Sequence, residues 1–252
     1  KISQENISAI HKAIKAGVKL VLCTGRPPFG VRPYYELLGL AQEDEYVIVD
    51  NGCAIHRTSD WKVIDSIALD KQDIHYLYSL TQDSSIQLTL FDEEHYFVVG
   101  ETPSPIVVRD TGYVFTSPTE ISLEEAVSGK YTMFQAMFLA EKETVDFFEE
   151  KYASDICQHF SGVRSQDVIY EVMPAGITKA FALEKLAQKL DIQAEEIMAL
   201  GDANNDLEML KFAGLGIAMG NASDYVKSLA DGITDSNDEN GVAKAIEKYL
   251  LN

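Results

Sequence analysis

The chain has 252 residues, of which 46% are hydrophobic and 24% are charged, and this size fits one large α/β unit or a core with an inserted domain. Its 40 acidic residues outnumber its 21 basic residues, and the formal charge of −19 argues against a nucleic-acid groove, because phosphate backbones are held by Lys and Arg. No apolar run approaches the roughly 20 residues of a membrane span and no signal-like segment is present, so we expect a cytoplasmic protein without a membrane partner. The three cysteines, Cys23, Cys53 and Cys157, lack paired ligand spacing and fit a reducing compartment.

The first predicted element is a helix. Ser3 can cap it, Ile7, Ile10 and Ile14 fall on one face, and Gly17 marks its end.

Two predicted strands follow, and each ends in polar residues and a glycine. The run 18–23 ends at Thr24-Gly25-Arg26-Pro27, where the threonine hydroxyl and the glycine amide can donate to a phosphate oxygen. The run 46–49 ends at Asp50-Asn51-Gly52. The alternative for both endings is a plain turn without a ligand.

The middle of the chain, 58–173, has a different pattern. It predicts an α+β domain with a largely antiparallel sheet, because strands come in adjacent pairs separated by helices. Strands are predicted near 62–68, 86–91, 95–99, 133–139 and 167–172, helices near 71–82 and 142–152, and loops at Pro103, Pro105 and Pro118.

The last third returns to alternating strands and helices. Thr178 can cap a helix, which places Lys179 in a first turn that the helix dipole makes unfavourable for a cation. A bound phosphate would remove this conflict, since a helix amino terminus and a lysine together form an anion site. The alternative is that Lys179 is solvated.

An apolar run over 197–200 stops at Gly201 and is followed by two carboxylates, Asp202 and Asp206. The carboxyl end of a buried parallel strand is where open α/β sheets place ligands. Acids at this spacing are costly to bury unless a cation such as Mg2+ lies among them. The alternative is an acidic turn that caps the next helix. A further strand is predicted over 215–219 and a final helix over 241–250.

Four short motifs occur together in the order and contexts that are found in one protein family. They are Thr24-Gly25-Arg26-Pro27, Asn51-Gly52, Lys179 and Gly201-Asp202-Ala203-Asn204-Asn205-Asp206. The chain resembles the haloacid-dehalogenase-like (HAD) phosphatases, specifically the Cof-type branch and its YidA-like sugar phosphatases. The resemblance implies an α/β fold: a Rossmann-like core with a parallel sheet of order 5-4-1-2-3 and an inserted α+β cap. It places the core at 1–57 and 174–252 and the cap, which governs substrate specificity, at 58–173.

The resemblance also implies an Mg2+-dependent phosphatase that forms a phosphoaspartyl intermediate on a small phosphorylated metabolite, with sugar phosphates favoured. Carried over by position, it assigns phosphate contacts to Thr24, Gly25, Lys179 and Asn205. It assigns catalytic roles to Lys179, which bridges nucleophile and phosphate, and to Asp202, a magnesium ligand. Asp206 is expected to orient Lys179 or a metal-bound water.

One departure from the family is large. The Asp-x-Asp-Gly-Thr motif that carries the nucleophile is absent, because the sequence begins at the helix that normally follows it. Asp50 is no substitute, since it corresponds to the third core strand. We therefore expect the working protein to carry this motif on a central strand before Lys1, and we expect the 252 residues alone to be inactive. The alternative is a non-catalytic metabolite-binding or regulatory protein that retains the fold. Neither the substrate nor the oligomeric state can be read from the sequence.

Overall fold

The computed structural model of the protein describes residues 2–40, 45–82 and 84–251. The helices in these ranges are α1 (Gln4–Lys15), α2 (Pro28–Leu37), α3 (Lys71–Ser79), α4 (Pro105–Tyr113), α5 (Leu123–Ala126), α6 (Lys142–His159), α7 (Lys179–Leu190), α8 (Leu207–Phe212), α9 (Asp224–Leu229) and α10 (Gly241–Tyr249). The strands are β1 (Val21–Cys23), β2 (Tyr46–Val49), β3 (Ala54–Arg57), β4 (Val63–Ser66), β5 (Gln87–Phe91), β6 (Tyr96–Val99), β7 (Thr119–Ile121), β8 (Gln135–Leu139), β9 (Phe160–Gln166), β10 (Ile169–Pro174), β11 (Met198–Gly201), β12 (Leu215–Ala218) and β13 (Gly232–Ile233).

Helix α1 begins as its sequence predicts. The Ser3 hydroxyl accepts a hydrogen bond from the backbone N–H of Asn6 at 3.2 Å, which satisfies one of the free donors of the first turn. Ile10 is buried, and Ile7 and Ile14 are partly buried against the same hydrophobic cluster. The apolar face of α1 therefore packs inward.

The first sheet has the order β1-β2-β3-β4, with β1 and β2 parallel and the other pairs antiparallel. The strand predicted over 18–23 begins only at Val21, so that prediction was wrong for its first three residues. At that point the backbone N–H of Leu20 donates to the side chain of Glu45 at 2.9 Å instead of to a strand. The register aligns Cys23 with Ile48, so both strands end at the same edge.

A second group of parallel strands has the order β11-β12-β13. Gly201 is aligned with Ala218, so β11 delivers the acidic loop to the carboxyl edge of this sheet. In the ranges described, no hydrogen bond joins β11 to β1, yet both sheets share a hydrophobic core in which Ile48 and Cys23 pack with Ala199 and Ala218. The pairs β12-β11 and β1-β2 match the two flanks of the predicted order 5-4-1-2-3. The α/β fold with a Rossmann-like core and an inserted domain is confirmed.

The inserted region forms a six-stranded sheet of order β7-β6-β5-β8-β10-β9, antiparallel except for the β6–β7 pair. One face of it, with Phe138 and Tyr170, is buried against residues of α3, α5 and α6 such as Phe148. Because neighbouring residues of a strand point to opposite faces, Gln135 and Glu171 lie on the other face, which meets the core.

This region contains elements that the sequence did not predict, among them α4, α5 and β7. Pro105 was expected in a loop, but it occupies the first turn of α4, with the Ser104 hydroxyl accepting from the N–H of Val107 at 3.4 Å. Proline is favoured at that position because its missing N–H has no intrahelical partner there. Strand β9 was not predicted, and its pattern of partial burial explains why it lacks a clear apolar run.

The division of the chain into 1–57 with 174–252 and 58–173 stays a prediction. The hydrogen bonds add one detail, because β4 pairs with β3 and residues 63–66 therefore belong to the first sheet. None of the described helices is both long enough and apolar enough to cross a membrane.

Candidate active site

The loops that follow β1 and β2 are joined through their backbones. The N–H of Thr24 donates to the carbonyl of Ile48 at 2.9 Å, and the N–H of Asn51 donates to the carbonyl of Thr24 at 3.1 Å. Asn51 has φ 54° and ψ 27°, a left-handed conformation that asparagine adopts more readily than most residues. The two predicted polar strand ends therefore form one continuous site.

Thr24 and Gly25 offer the donors expected of a phosphate loop. The Thr24 hydroxyl oxygen accepts from the backbone N–H of Arg26 at 3.1 Å, which leaves its hydrogen for another acceptor. A Cβ on Gly25 would lie 3.0 Å from the side chain of Asn51, so glycine allows Asn51 to pack against the loop. Both residues are partly exposed, which leaves them accessible to an anion.

Lys179 forms a buried ion pair with Asp206. Their side chains are each 7% exposed, and Nζ lies 2.7 Å from Oδ1 of Asp206. Thr178 caps helix α7 as predicted, with its hydroxyl accepting from the N–H of Phe181 at 3.2 Å, and this fixes Lys179 in the first turn. Burial is the largest single influence on the pKa of the Lys179 ammonium and lowers it, but the negative groups around the lysine, Asp206 foremost, together raise the pKa above its ordinary value. Lys179 therefore stays charged.

The acidic loop after β11 is folded around Asp206. Its Oδ2 accepts from the N–H groups of Asp202 and Ala203 at 3.0 and 3.1 Å. A Cβ on Gly201 would lie 2.5 Å from the Cβ of Asp206, so only glycine admits this carboxylate here. Both oxygens of Asp206 are thus engaged, Oδ1 by Lys179 and Oδ2 by the backbone, and this geometry favours the predicted role of orienting Lys179 over the alternative of orienting a metal-bound water.

Asp202 has the opposite environment. It is exposed, and its Oδ2 accepts from the side-chain amide of Asn221 at 2.8 Å. Asn221 was not predicted, although it also follows a strand end. Among the residues that the structure describes, no cluster of three or more His, Cys, Asp or Glu side chains could hold a metal by itself. One exposed carboxylate fits an Mg2+ ion that keeps several waters, but only as part of a larger ligand set.

Asn205 and Asn51 connect the acidic loop to the phosphate loop. Nδ2 of Asn205 donates to Oδ1 of Asn51 at 2.9 Å. Both residues line a cavity of about 220 Å³ with Lys179, and strand β9 of the inserted region forms its opposite wall. The structure thus brings Asn205 and Lys179 to one cavity.

Asp50 precedes Asn51 in the chain but is not among the residues that line this cavity. It is fully buried, and neither carboxylate oxygen has a hydrogen-bond partner in the described chain. Burial raises the pKa of Asp50 well above its ordinary value, and the nearby carboxylates of Glu171 and Asp92 raise it further.

The sequence model of the haloacid dehalogenase-like hydrolases matches residues 1–246. The chain belongs to this family. It is 33% identical to the Bacillus subtilis protein YxeH over 251 residues, covering 100% of this chain and 93% of that protein. It is 32% identical to 5-amino-6-(5-phospho-D-ribitylamino)uracil phosphatase YcsE of the same organism, covering 99% of this chain and 89% of that protein. A crystal structure of a haloacid dehalogenase-like hydrolase from Bacteroides thetaiotaomicron superimposes with a TM-score of 0.86 at 27% identity, covering 98% of this chain and 92% of that one.

Membership of the haloacid dehalogenase-like hydrolases confirms the resemblance drawn from the motifs, and the relatives support a phosphatase. The roles predicted for individual residues rest on the geometry above and stay predictions. Besides Asn221, that geometry adds two side chains of the inserted region that no motif indicated, Gln135 and Glu171.

Proposed function

We propose that the protein is an Mg2+-dependent phosphatase of small phosphorylated metabolites, with sugar phosphates as the favoured class, and that it acts in the cytoplasm through a phosphoaspartyl intermediate. The observation that carries the proposal is the buried, charged Lys179, which lines the cavity with Asn205. A fixed cation in a largely buried site stabilises negative charge more strongly than one in water. The activity named for YcsE, on a phosphorylated ribityl compound, also supports a small polyhydroxylated substrate.

The proposed residues divide the work of phosphate transfer. Thr24 and Gly25 donate hydrogen bonds to phosphate oxygens, and Asn205 supports the same group through its side-chain amide. Lys179 neutralises the charge that otherwise opposes attack by an anionic nucleophile. Asp202 would hold Mg2+, which when bound supplies positive charge that polarises a phosphoryl oxygen.

The nucleophile in this proposal is an aspartate outside the 252 residues, in the Asp-x-Asp-Gly-Thr motif of the family. Two groups near the site are unsuitable. Asp50 is buried and its raised pKa favours the neutral acid. Burial raises the pKa of the Cys23 thiol to about 12, so little thiolate is present at neutral pH. We therefore propose that the 252 residues alone do not hydrolyse phosphate esters.

The test compares protein made from the complete reading frame with the 252-residue chain. Hydrolysis of para-nitrophenyl phosphate and a panel of sugar phosphates is measured with Mg2+ and with EDTA. We expect activity only in the longer protein and only with Mg2+. A complete reading frame that starts at Lys1, or an inactive longer protein, would favour a metabolite-binding protein instead.

The metal assignment is tested with Asp202→Asn and with Asp167→Asn, an exposed aspartate of the inserted region, as its control. We expect Asp202→Asn alone to weaken Mg2+ binding in a calorimetric titration, with partial recovery of activity at high Mg2+. Equal Mg2+ affinity in both variants would show that Asp202 is not a ligand.

A further inference from the structure

Asn51 lies where the phosphate loop, the acidic loop and the inserted sheet meet. It is 1% exposed, and its side chain packs against Gly25 while its Oδ1 accepts from Asn205. Its Nδ2 donates to two acceptors of the inserted sheet, Oε1 of Gln135 at 3.2 Å and Oε2 of Glu171. Both hydrogens of the amide nitrogen and at least one lone pair of its oxygen are thus used.

The two acceptors, Gln135 and Glu171, differ in how strictly they fix the orientation of the Asn51 amide. Gln135 has a side-chain amide that could rotate and present a donor instead. An ionised Glu171 can only accept, so it permits one orientation of the Asn51 amide, with nitrogen towards the inserted sheet and oxygen towards Asn205. In the reverse orientation the oxygen of Asn51 would face a carboxylate and its nitrogen would face the amide nitrogen of Asn205.

The orientation of Asn51 determines that of Asn205 in turn. An acceptor at Oδ1 of Asn51 holds the nitrogen of Asn205, and in the described chain that nitrogen keeps a second hydrogen without an acceptor. This hydrogen is the group that Asn205 can offer to an anion in the cavity that it lines with Asn51 and Lys179.

We propose that Glu171 is a positioning residue, which fixes the amide of Asn51 and through it the phosphate-binding amide of Asn205, so that the inserted sheet orders the phosphate site. The proposal rests on the function proposed above, and it adds a route by which docking of the inserted region acts on that site. Its energetic basis is that a hydrogen bond to a charged group is stronger than one between neutral groups, whereas a wrongly turned amide presents a repulsive contact.

Glu171 can ionise in this setting despite its burial. Burial raises the pKa of its carboxyl, and the pKa stays above its ordinary value although the Ser165 hydroxyl, the hydrogen bond from Asn51 and the positive charge of Lys179 act in the opposite direction. The other charged groups that face it are Asp110, from α4, and Asp50, whose own pKa it raises. Protonation of Glu171 would turn its acceptor-only group into one that can also donate.

The test uses protein made from the complete reading frame. Glu171→Gln keeps the shape of the side chain and loses only the acceptor-only character, and Glu120→Gln changes an exposed glutamate of the same sheet as a control. In Glu171→Gln, the inhibition constant of inorganic phosphate and the KM for para-nitrophenyl phosphate should each rise about fivefold to tenfold, while kcat changes less than twofold. In Glu120→Gln, the inhibition constant and the KM should stay unchanged. Thermal unfolding confirms that each variant folds.

A double-mutant cycle separates positioning from a general packing role. In an Asn205→Ala background, Glu171→Gln should have no further effect on phosphate affinity, because the affected group is gone. A second arm needs no change at Glu171: the affinity advantage of the parent over Asn205→Ala should shrink as the pH falls and Glu171 is protonated.

Three results would overturn the positioning role. They are additive effects of Glu171→Gln and Asn205→Ala on phosphate affinity, equal phosphate affinity in Glu171→Gln and the parent, and a loss of phosphate affinity in Glu120→Gln as large as that in Glu171→Gln. If the parent does not hydrolyse para-nitrophenyl phosphate, the proposed function fails, and the positioning role is decided by calorimetric binding of inorganic phosphate. A parent that neither hydrolyses nor binds phosphate would overturn both.

Discussion

Replacing Lys179 with methionine tests whether the ion pair with Asp206 stabilises the fold as well as the phosphate site. The role that the family resemblance implies for Lys179, bridging nucleophile and phosphate, predicts that loss of this lysine costs activity far more than stability. The structure changes that expectation, because both side chains are 7% exposed and the carboxylate of Asp206 would be left buried without its counter-charge. Methionine has a similar length, so a packing defect contributes little.

The expected loss of unfolding free energy follows from the hydrogen bonds that Asp206 keeps when Lys179 is replaced. Breaking a buried ion pair typically costs about 3–5 kcal/mol. Asp206 keeps two backbone N–H donors, at 3.0 and 3.1 Å, so we expect the lower end, about 3 kcal/mol of unfolding free energy. Lys185→Met, in the same helix, is the matched control, because its ion pair with Asp65 is 40% exposed on both sides and should contribute below about 1 kcal/mol.

The assay is urea unfolding of the parent and the two variants at pH 7, with far-UV circular dichroism as the signal. Adding Asp206→Asn to Lys179→Met should recover part of the loss, because the uncompensated charge is then removed. A loss for Lys179→Met no larger than that for Lys185→Met would refute the reasoning. So would a double variant that is less stable than Lys179→Met alone.

Two further substitutions probe the neighbouring loop. Asp50→Asn should raise the unfolding free energy at pH 7. Because the pKa of Asp50 is higher in the folded protein than in the unfolded chain, the parent loses unfolding free energy as the pH rises between these two pKa values, by about 1.4 kcal/mol per pH unit. Urea titrations from pH 4 to 8 check this, and an advantage of the variant that does not shrink towards pH 4 would contradict it. Gly52→Ala should lower the melting temperature more than Gly129→Ala does. Both glycines have a positive φ, but a Cβ at position 52 would lie 2.3 Å from the carbonyl oxygen of Thr178, whereas a Cβ at position 129 would have no atom within 4 Å. Equal shifts in melting temperature would show that the close approach is unimportant.

The elements that sequence predicts well are those whose signals are local. Thr178 followed by an apolar helical pattern predicts the start of α7, and the run 46–49 predicts β2 at its observed bounds. Prediction fails where tertiary contacts replace the local pattern. Leu20 lies outside β1 because its N–H bonds to Glu45, and Pro105 begins a helix in a region read as a loop.

The candidate site is predicted only in part, for the same reason. Its loops are visible in the sequence because each combines a strand end with glycine and short polar residues. The partners of these residues are not visible, since Asn51 and Glu171 lie 120 residues apart and no pattern in either segment encodes the contact. The contact of Lys179 with Asp206, by contrast, could be anticipated, because orienting Lys179 was one of the two roles that the family resemblance offered for Asp206; the role itself stays a prediction.

The glycines of the three short motifs explain why weak motifs become informative together. Gly25 admits the side chain of Asn51, Gly52 admits the carbonyl of Thr178, and Gly201 admits the buried carboxylate of its own loop. At Gly52 and Gly201 a polar group of the site approaches the backbone at a distance that any Cβ would prevent, and at Gly25 a Cβ would require the side chain of Asn51 to shift. A larger residue at one of them would displace a polar group on which another loop depends. The three loops are therefore physically coupled through these contacts.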